Sequence, residues 1–298
     1  MNAAAVKEYL SYLGLRAGVG VVGMLPAPVV RRLGSVFGQV WSVFDRGRRA
    51  MARRHAGRVL GNGADLDAAS VEMMRSYGRY YAEALWARGR RVRGMLAETE
   101  IHGLEKILAA RDAETGMIFA LPHMGNWEAA APIAVSEGIP VVAVAEVLPN
   151  RRITDWFTAV REAFGIEVVL ATGRIEVMRR LEQAIADNKA VALLSDRDLG
   201  GRGVEVEFFG ERTTLPPGPA TLAVRTGAPL LPVGCYFEDG GYRVVVHDPI
   251  AMPATGSRSE KVAAITQELA RELESIIREA PSQWHLVQPN WPSDREVG

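Results

Sequence analysis

A histidine and two acids, each placed just beyond an apolar run, are the residues whose types and spacing could do chemistry. His123 follows the run Gly116–Leu121 in Leu121-Pro122-His123-Met124-Gly125-Asn126-Trp127-Glu128. A neutral imidazole there can take a proton from a hydroxyl as it attacks, the work of a general base. Glu128 lies five positions on, about 140° around a continuous helix. The two side chains therefore converge only if His123 stays on the loop before the helix begins. Asn126 suits an N-cap, which puts Glu128 in the first helical turn, where a carboxylate is favoured. Such a corner also offers free backbone N–H groups. Asp196 follows the run Ala190–Leu194 in Ser195-Asp196-Arg197-Asp198. A carboxylate can orient the imidazole and offset its positive charge. Glu128 and Asp196 stand as alternatives for that partnership.

Glu146 follows another apolar run, Val141–Val144, and Arg161 comes in the next helical stretch after Asn150-Arg151-Arg152. An arginine here could bind a phosphate or steady a developing oxyanion. Surface charge explains any one such residue. The end of this strand opens on the same edge of a parallel sheet as His123 if the strands neighbour each other, and α/β sheets bind ligands at that edge. Asp196-x-Asp198 also has the oxygen donors of a hard-cation site, which makes a metal-dependent glycosyltransferase a rival reading. Ser195 lacks a Gly-x-Ser-x-Gly elbow and is not read as a nucleophile. Cys235, the one cysteine, lies in an apolar run; it excludes an internal disulfide and reads as a packed, inert thiol.

The elements that must hold these residues come in two textures. From Thr99 onward, short β-like runs alternate with helical segments, the pattern of an α/β fold with a central, mostly parallel sheet flanked by helices. Strands are expected at 100–102, 117–121, 141–144, 167–170, 190–194, 204–208, 230–237 and 242–247. Helices are expected at 103–111, 126–137, 150–164, 174–187, 217–227 and 257–280. Ahead of them, 2–24, 28–45, 48–60 and 67–96 read as helices, with a turn at Asn62-Gly63. Met73, Tyr77, Tyr80, Tyr81, Ala84, Leu85 and Trp86 form an apolar stripe read as core. No composition break separates the parts, so 1–298 is expected to be one domain: a basic helical extension, 1–98, on a core of 99–298.

The formal net charge is zero but unevenly spread. Residues 1–98 carry 16 Lys+Arg against 7 Asp+Glu, and the remainder 19 against 28. A basic half implies an anionic partner. No nucleic-acid module accompanies the arginines, so an anionic membrane surface is favoured over nucleic acid. The charge-free stretch Ala17–Val30 has 14 residues and two prolines, too short against the ~20 needed to span a bilayer. An amphipathic helix in the interface fits better, and a secretory signal fits poorly.

Further strings carry a likeness. Val206-Glu207-Phe208-Phe209-Gly210-Glu211 precedes a Pro217-Gly218-Pro219 turn, and the tail reads Gln283-Trp284-His285-Leu286-Val287-Gln288-Pro289-Asn290-Trp291. With His-Met-Gly-Asn-Trp-Glu at 123–128, these resemble the bacterial lipid A biosynthesis acyltransferases, which share a His-x4-Asp/Glu signature with glycerolipid acyltransferases. The tail is similar to the actinobacterial branch that acylates phosphatidylinositol mannosides. The resemblance implies a glycerolipid acyltransferase-like fold with His123, Glu128 and Asp196 catalytic and Asn126, Glu146, Arg161, Arg197 and Asp198 on substrate. It implies transfer of a long acyl chain, palmitoyl, from acyl-CoA to a mannose hydroxyl, with no metal or redox cofactor. The expected setting is a monomer peripheral to the cytoplasmic face of the cell membrane. Acceptors of lipid A type, or other glycolipids, remain alternatives. So does a non-catalytic lipid-binding protein.

Overall fold

A computed structural model describes residues 3–61, 63–198 and 200–295; of the expected Asn62-Gly63 turn, Asn62 lies outside the described residues. The first third is helical: α1 (Ala3–Val22), α2 (Ala27–Phe44), α3 (Arg46–Leu60), α4 (Leu66–Trp86) and α5 (Arg90–Ala97). Asp45 and Asp65 cap α3 and α4, accepting from the backbone N–H groups of Arg48 and Ala68. The helix expected over 67–96 is two. The chain breaks after Trp86, and Gly89 takes a φ of +53°, which a side chain would resist. α2 and α4 pack at close range because Gly38 and Gly78 face each other's backbones. A Cβ on either would collide with main-chain atoms of the opposite helix.

The remainder alternates as expected: β1 (Thr99–His102), α6 (Leu104–Asp112), β2 (Met117–Leu121), a 3-10 turn (Trp127–Ala129), α7 (Ala131–Ser136), β3 (Val141–Ala145), α8 (Arg151–Ala163) and β4 (Ile166–Leu170). Then follow α9 (Arg174–Ala186), β5 (Ala190–Leu194), β6 (Val204–Phe208), β7 (Glu211–Leu215), α10 (Gly218–Thr226), β8 (Leu230–Glu238), β9 (Gly241–Val246) and α11 (Arg258–Glu279). The helix expected over 126–137 is a 3-10 turn and a short α7, with Pro132 at its start, where the missing N–H costs nothing. β7 lies outside the strands expected from the sequence; it pairs antiparallel with β6 as a separate hairpin.

Seven strands form one sheet in the order β1-β9-β8-β2-β5-β3-β4, parallel throughout except between β8 and β9. Every residue of β2 is buried, as a strand covered on both faces requires. Ile118 and Ala120 pack in one apolar layer with α9, α10 and α11, and Met117, Phe119 and Leu121 in another with α6, α7 and α8. α4 contributes to both layers, Met73 and Met74 to the first, Tyr80 and Ala84 to the second. The helical third is thus bound into the core over part of its surface.

Candidate active site

Strand register brings the first pair together. β2 and β5 are parallel neighbours with Leu121 opposite Leu194, and His123 and Asp196 each lie two residues beyond. His123 Nδ1 sits 2.6 Å from Asp196 Oδ1, and the His123 backbone N–H donates to Oδ2 at 3.0 Å. An ionised carboxylate only accepts, so Nδ1 carries the ring proton and Nε2 is left bare, without a protein partner among the described residues. Burial alone would push the Asp196 carboxyl up. The facing imidazole, with hydrogen bonds from His123 and Trp284, more than offsets this and holds it below the usual carboxylate range. Gly125 makes the corner possible: its φ is +55°, and a Cβ would strike the backbone of Cys235 in β8.

The other acid faces elsewhere. Glu128 Oε1 accepts from Arg161 Nη2 at 2.7 Å and from the Tyr80 hydroxyl at 3.2 Å, with no bond to the imidazole. Burial would lower the Arg161 pKa, but the Glu128 charge and the neighbouring Tyr80 raise it above its ordinary value. Asn126 does not cap the turn. Its Nδ2 donates to buried Glu83 at 3.0 Å, which also accepts from Tyr242 at 2.9 Å and pairs with Arg79 at 2.9 Å and Arg31 at 3.3 Å. The bond to Glu83 fixes the amide through its N–H donors and leaves Oδ1, the atom a cap would use, buried without a partner among the described residues.

The tail closes the corner from outside the sheet. Trp284 Nε1 donates to Asp196 Oδ2 at 2.8 Å and Asn290 Nδ2 to the Asp196 carbonyl at 3.1 Å. The His285 backbone N–H reaches the His123 carbonyl at 2.6 Å, and the Gly125 N–H reaches the Gln283 carbonyl at 2.9 Å. The His285 ring lies against Tyr77, Tyr80 and Trp127, with Nε2 2.8 Å from Ser76 Oγ, and burial pushes its pKa down to about 3. α3 holds the tail in turn: His55 Nδ1 is 2.7 Å from the Leu286 carbonyl, and Arg58 is 2.9 Å from Asp294.

His123 opens on a cavity of ≈ 1430 Å³, whose walls include Tyr77, Trp127, Glu146, Arg161, Arg197 and Asp198. An apolar recess of ≈ 100 Å³ shares Trp127, Val144, Arg161, Leu193 and Leu194 with it and runs in among Phe119, Ile133 and Val233. Of the predicted residues, His123, Glu146, Arg161, Arg197 and Asp198 line the cavity and Glu128 the recess; Asp196 and Asn126 are buried behind them, and Glu146 is exposed and bonds nothing among the described residues. A hard cation does not fit Asp196-x-Asp198. Both Asp196 oxygens already accept N–H groups, and Asp198 closes its own loop through the N–H of Gly200 and Gly203 and the Thr214 hydroxyl. Sequence reasoning passed over Tyr80, Glu83, Trp284, His285 and Asn290 as site residues. Tyr80 was visible only as part of a core stripe, and Trp284, His285 and Asn290 only as a string with a family likeness. Cys235 is buried with its thiol pushed up to about 12, the inert group expected.

An imidazole backed by a buried acid at the carboxyl edge of a parallel sheet, opening on a large cleft with an apolar recess, defines the class: an α/β fold with a histidine–acid site suited to lipid-like substrates. The chain belongs to the bacterial lipid A biosynthesis acyltransferase family, whose profile matches residues 2–293. It is 38% identical to the phosphatidylinositol mannoside acyltransferase of Mycobacterium tuberculosis over 268 residues, covering 86% of this chain and 83% of the relative. The enzyme of that name from Mycolicibacterium smegmatis is 35% identical over 289 residues, 95% of this chain and 91% of the relative. A lipid A biosynthesis acyltransferase of Haemophilus influenzae is 26% identical over 191 residues, 62% of this chain and 57% of the relative.

Proposed function

We propose that this protein transfers a long acyl chain, palmitoyl, from acyl-CoA to a mannose hydroxyl of phosphatidylinositol mannoside. The observation that carries the reading is the His123–Asp196 pair, 2.6 Å apart, with Nε2 bare beside a cleft that adjoins an apolar recess. The glycolipid acceptor is supported by the two mycobacterial relatives matched over most of their length. His123 Nε2 takes the hydroxyl proton while the sugar oxygen attacks the thioester carbon, and Asp196 offsets the imidazolium charge. Collapse of the tetrahedral intermediate breaks the C–S bond, and the imidazolium returns the proton to the departing sulfur. Arg161, on the wall of both cavity and recess, and the backbone N–H of Asn126 are the candidate donors to the oxyanion. Such donors contribute ~3–4 kcal/mol each when well placed. No resident cofactor enters this scheme; acyl-CoA is a co-substrate.

A peripheral position on the cytoplasmic face of the membrane belongs to the same reading. Val29, Leu33, Val36, Phe37, Val40 and Val43 form an exposed apolar stripe along α2, at the i, i+4, i+7 spacing of one helix face. No helix among the described residues is long and apolar enough to cross a membrane. The test of the activity is incubation with palmitoyl-CoA and a panel of glycolipids, read by product mass. His123→Ala should remove acyl transfer by ~10²–10⁴-fold or more with the fold intact. Near-normal turnover in that variant would falsify the base assignment.

A further inference from the structure

Asp196 meets the imidazole through Oδ1 alone. Its other oxygen accepts two N–H groups, the His123 main chain at 3.0 Å and the Trp284 indole at 2.8 Å. Rotation of a carboxylate about its last torsion is soft, so an acid held by one ring nitrogen would sample many orientations. The second oxygen is what fixes the plane. Of its two donors among the described residues, the main-chain N–H belongs to the base itself, so the indole is the one supplied from outside the pair. Trp284 is fully buried, and its ring packs against His55, Phe209 and Trp291. An indole has one N–H and no acceptor, and here that single hydrogen is spent on the acid. The flanking tail is pinned by His285 to the His123 carbonyl and by Asn290 to the Asp196 carbonyl, so the indole cannot drift independently of the pair.

We propose that Trp284 is a positioning residue for proton transfer: its indole N–H locks the Asp196 carboxylate so that His123 keeps Nδ1–H on the acid and presents Nε2 to the substrate hydroxyl. The inference rests on the general-base reading of His123. The indole also draws charge from the carboxylate, and its removal leaves the acid a stronger partner for an imidazolium. The groups around the pair that could blur this are few. From α4 come Tyr77, Tyr80 and Tyr81; from the 3-10 turn Glu128, paired with Arg161 of α8; from the strand ends Arg197 and Glu146; from the tail His285; from α3 His55 behind the indole.

The cleanest test replaces Trp284 with β-(3-benzothienyl)alanine, which keeps the bicyclic shape and exchanges only N–H for sulfur; Trp284→Phe is the second variant. The expected result is a ~10–100-fold loss of kcat, the worth of one hydrogen bond to a charged group, with KM for both substrates within about twofold. The acidic limb of the kcat/KM pH profile should move to higher pH, since the imidazolium is better stabilised. A normal kcat overturns the proposal, and so does a loss that leaves the acidic limb unmoved or merely tracks the folded fraction. The two readings fail separately. An active His123→Ala sinks the base assignment, whereas an inactive His123→Ala beside a normal Trp284 variant sinks only the role given to the indole.

Discussion

Asp196 and Glu128 lie in one corner, both buried, and their partners differ in kind. Asp196 is surrounded by N–H groups that carry no permanent charge: a main-chain amide, an indole and an imidazole. Glu128 faces a guanidinium, Arg161, and a tyrosine hydroxyl. An arginine is charged at every working pH, so the Glu128 charge is cancelled whether or not a reaction proceeds. The Asp196 charge is cancelled only when the imidazole takes a proton, the moment at which a general base needs help. Glu83 repeats the Glu128 pattern with two arginines, an amide and a phenol. The lesson is that an acid's partner, more than its burial, decides whether its charge is available to chemistry.

The hardest way to break the contrast is Asp196→Asn. An amide offers the imidazole no anion and can invert its tautomer, so turnover should fall ~10³–10⁴-fold while circular dichroism stays unchanged. Glu128→Gln should act mainly on stability. It leaves a largely buried guanidinium without its counter-charge, at a cost of about 3 kcal/mol, the low end for a buried pair because Arg161 keeps some solvent contact. Denaturant titration measures this, and turnover per folded molecule should fall far less than in Asp196→Asn. Equal losses in both variants would erase the distinction. The smallest effect at neutral pH is expected from His285→Gln, whose signature is a pH dependence. An unfolded imidazole titrates near 6.5, whereas the folded one stays neutral down to about 3. Between those values the unfolded state binds a proton that the folded state refuses, so stability drops as pH falls, by up to about 1.4 kcal/mol per pH unit. The glutamine variant should lose that slope.

Sequence carried the strand ends well, because His123 and Asp196 each follow a short apolar run and such runs are buried strands. It could not choose between Glu128 and Asp196. That choice depends on β2 pairing with β5 in a register that sets Leu121 against Leu194, and on a 3-10 turn where a longer helix was expected. The fate of Asn126 was equally hidden, since its acceptor, Glu83, lies 43 residues away on α4. The tail was legible as a likeness but not as part of the site, because Trp284 meets Asp196 across 88 residues. Nothing local in Trp-His-Leu-Val-Gln-Pro-Asn-Trp says what the indole N–H will find. Exposed apolar residues line one face of α2, while part of the helical third is plainly core through α4.

Because the last long contact of the corner comes from residues 283–290, the site is finished last in time as well as in sequence. During synthesis the helical third and the sheet strands emerge first and can begin to collapse, N-terminal parts leading. Until the segment through Asn290 has cleared the ribosome, the second oxygen of Asp196 lacks one of its two donors and the His123 carbonyl is unbraced. A chain released short of Asn290 would carry the imidazole and its acid without the contacts that brace them.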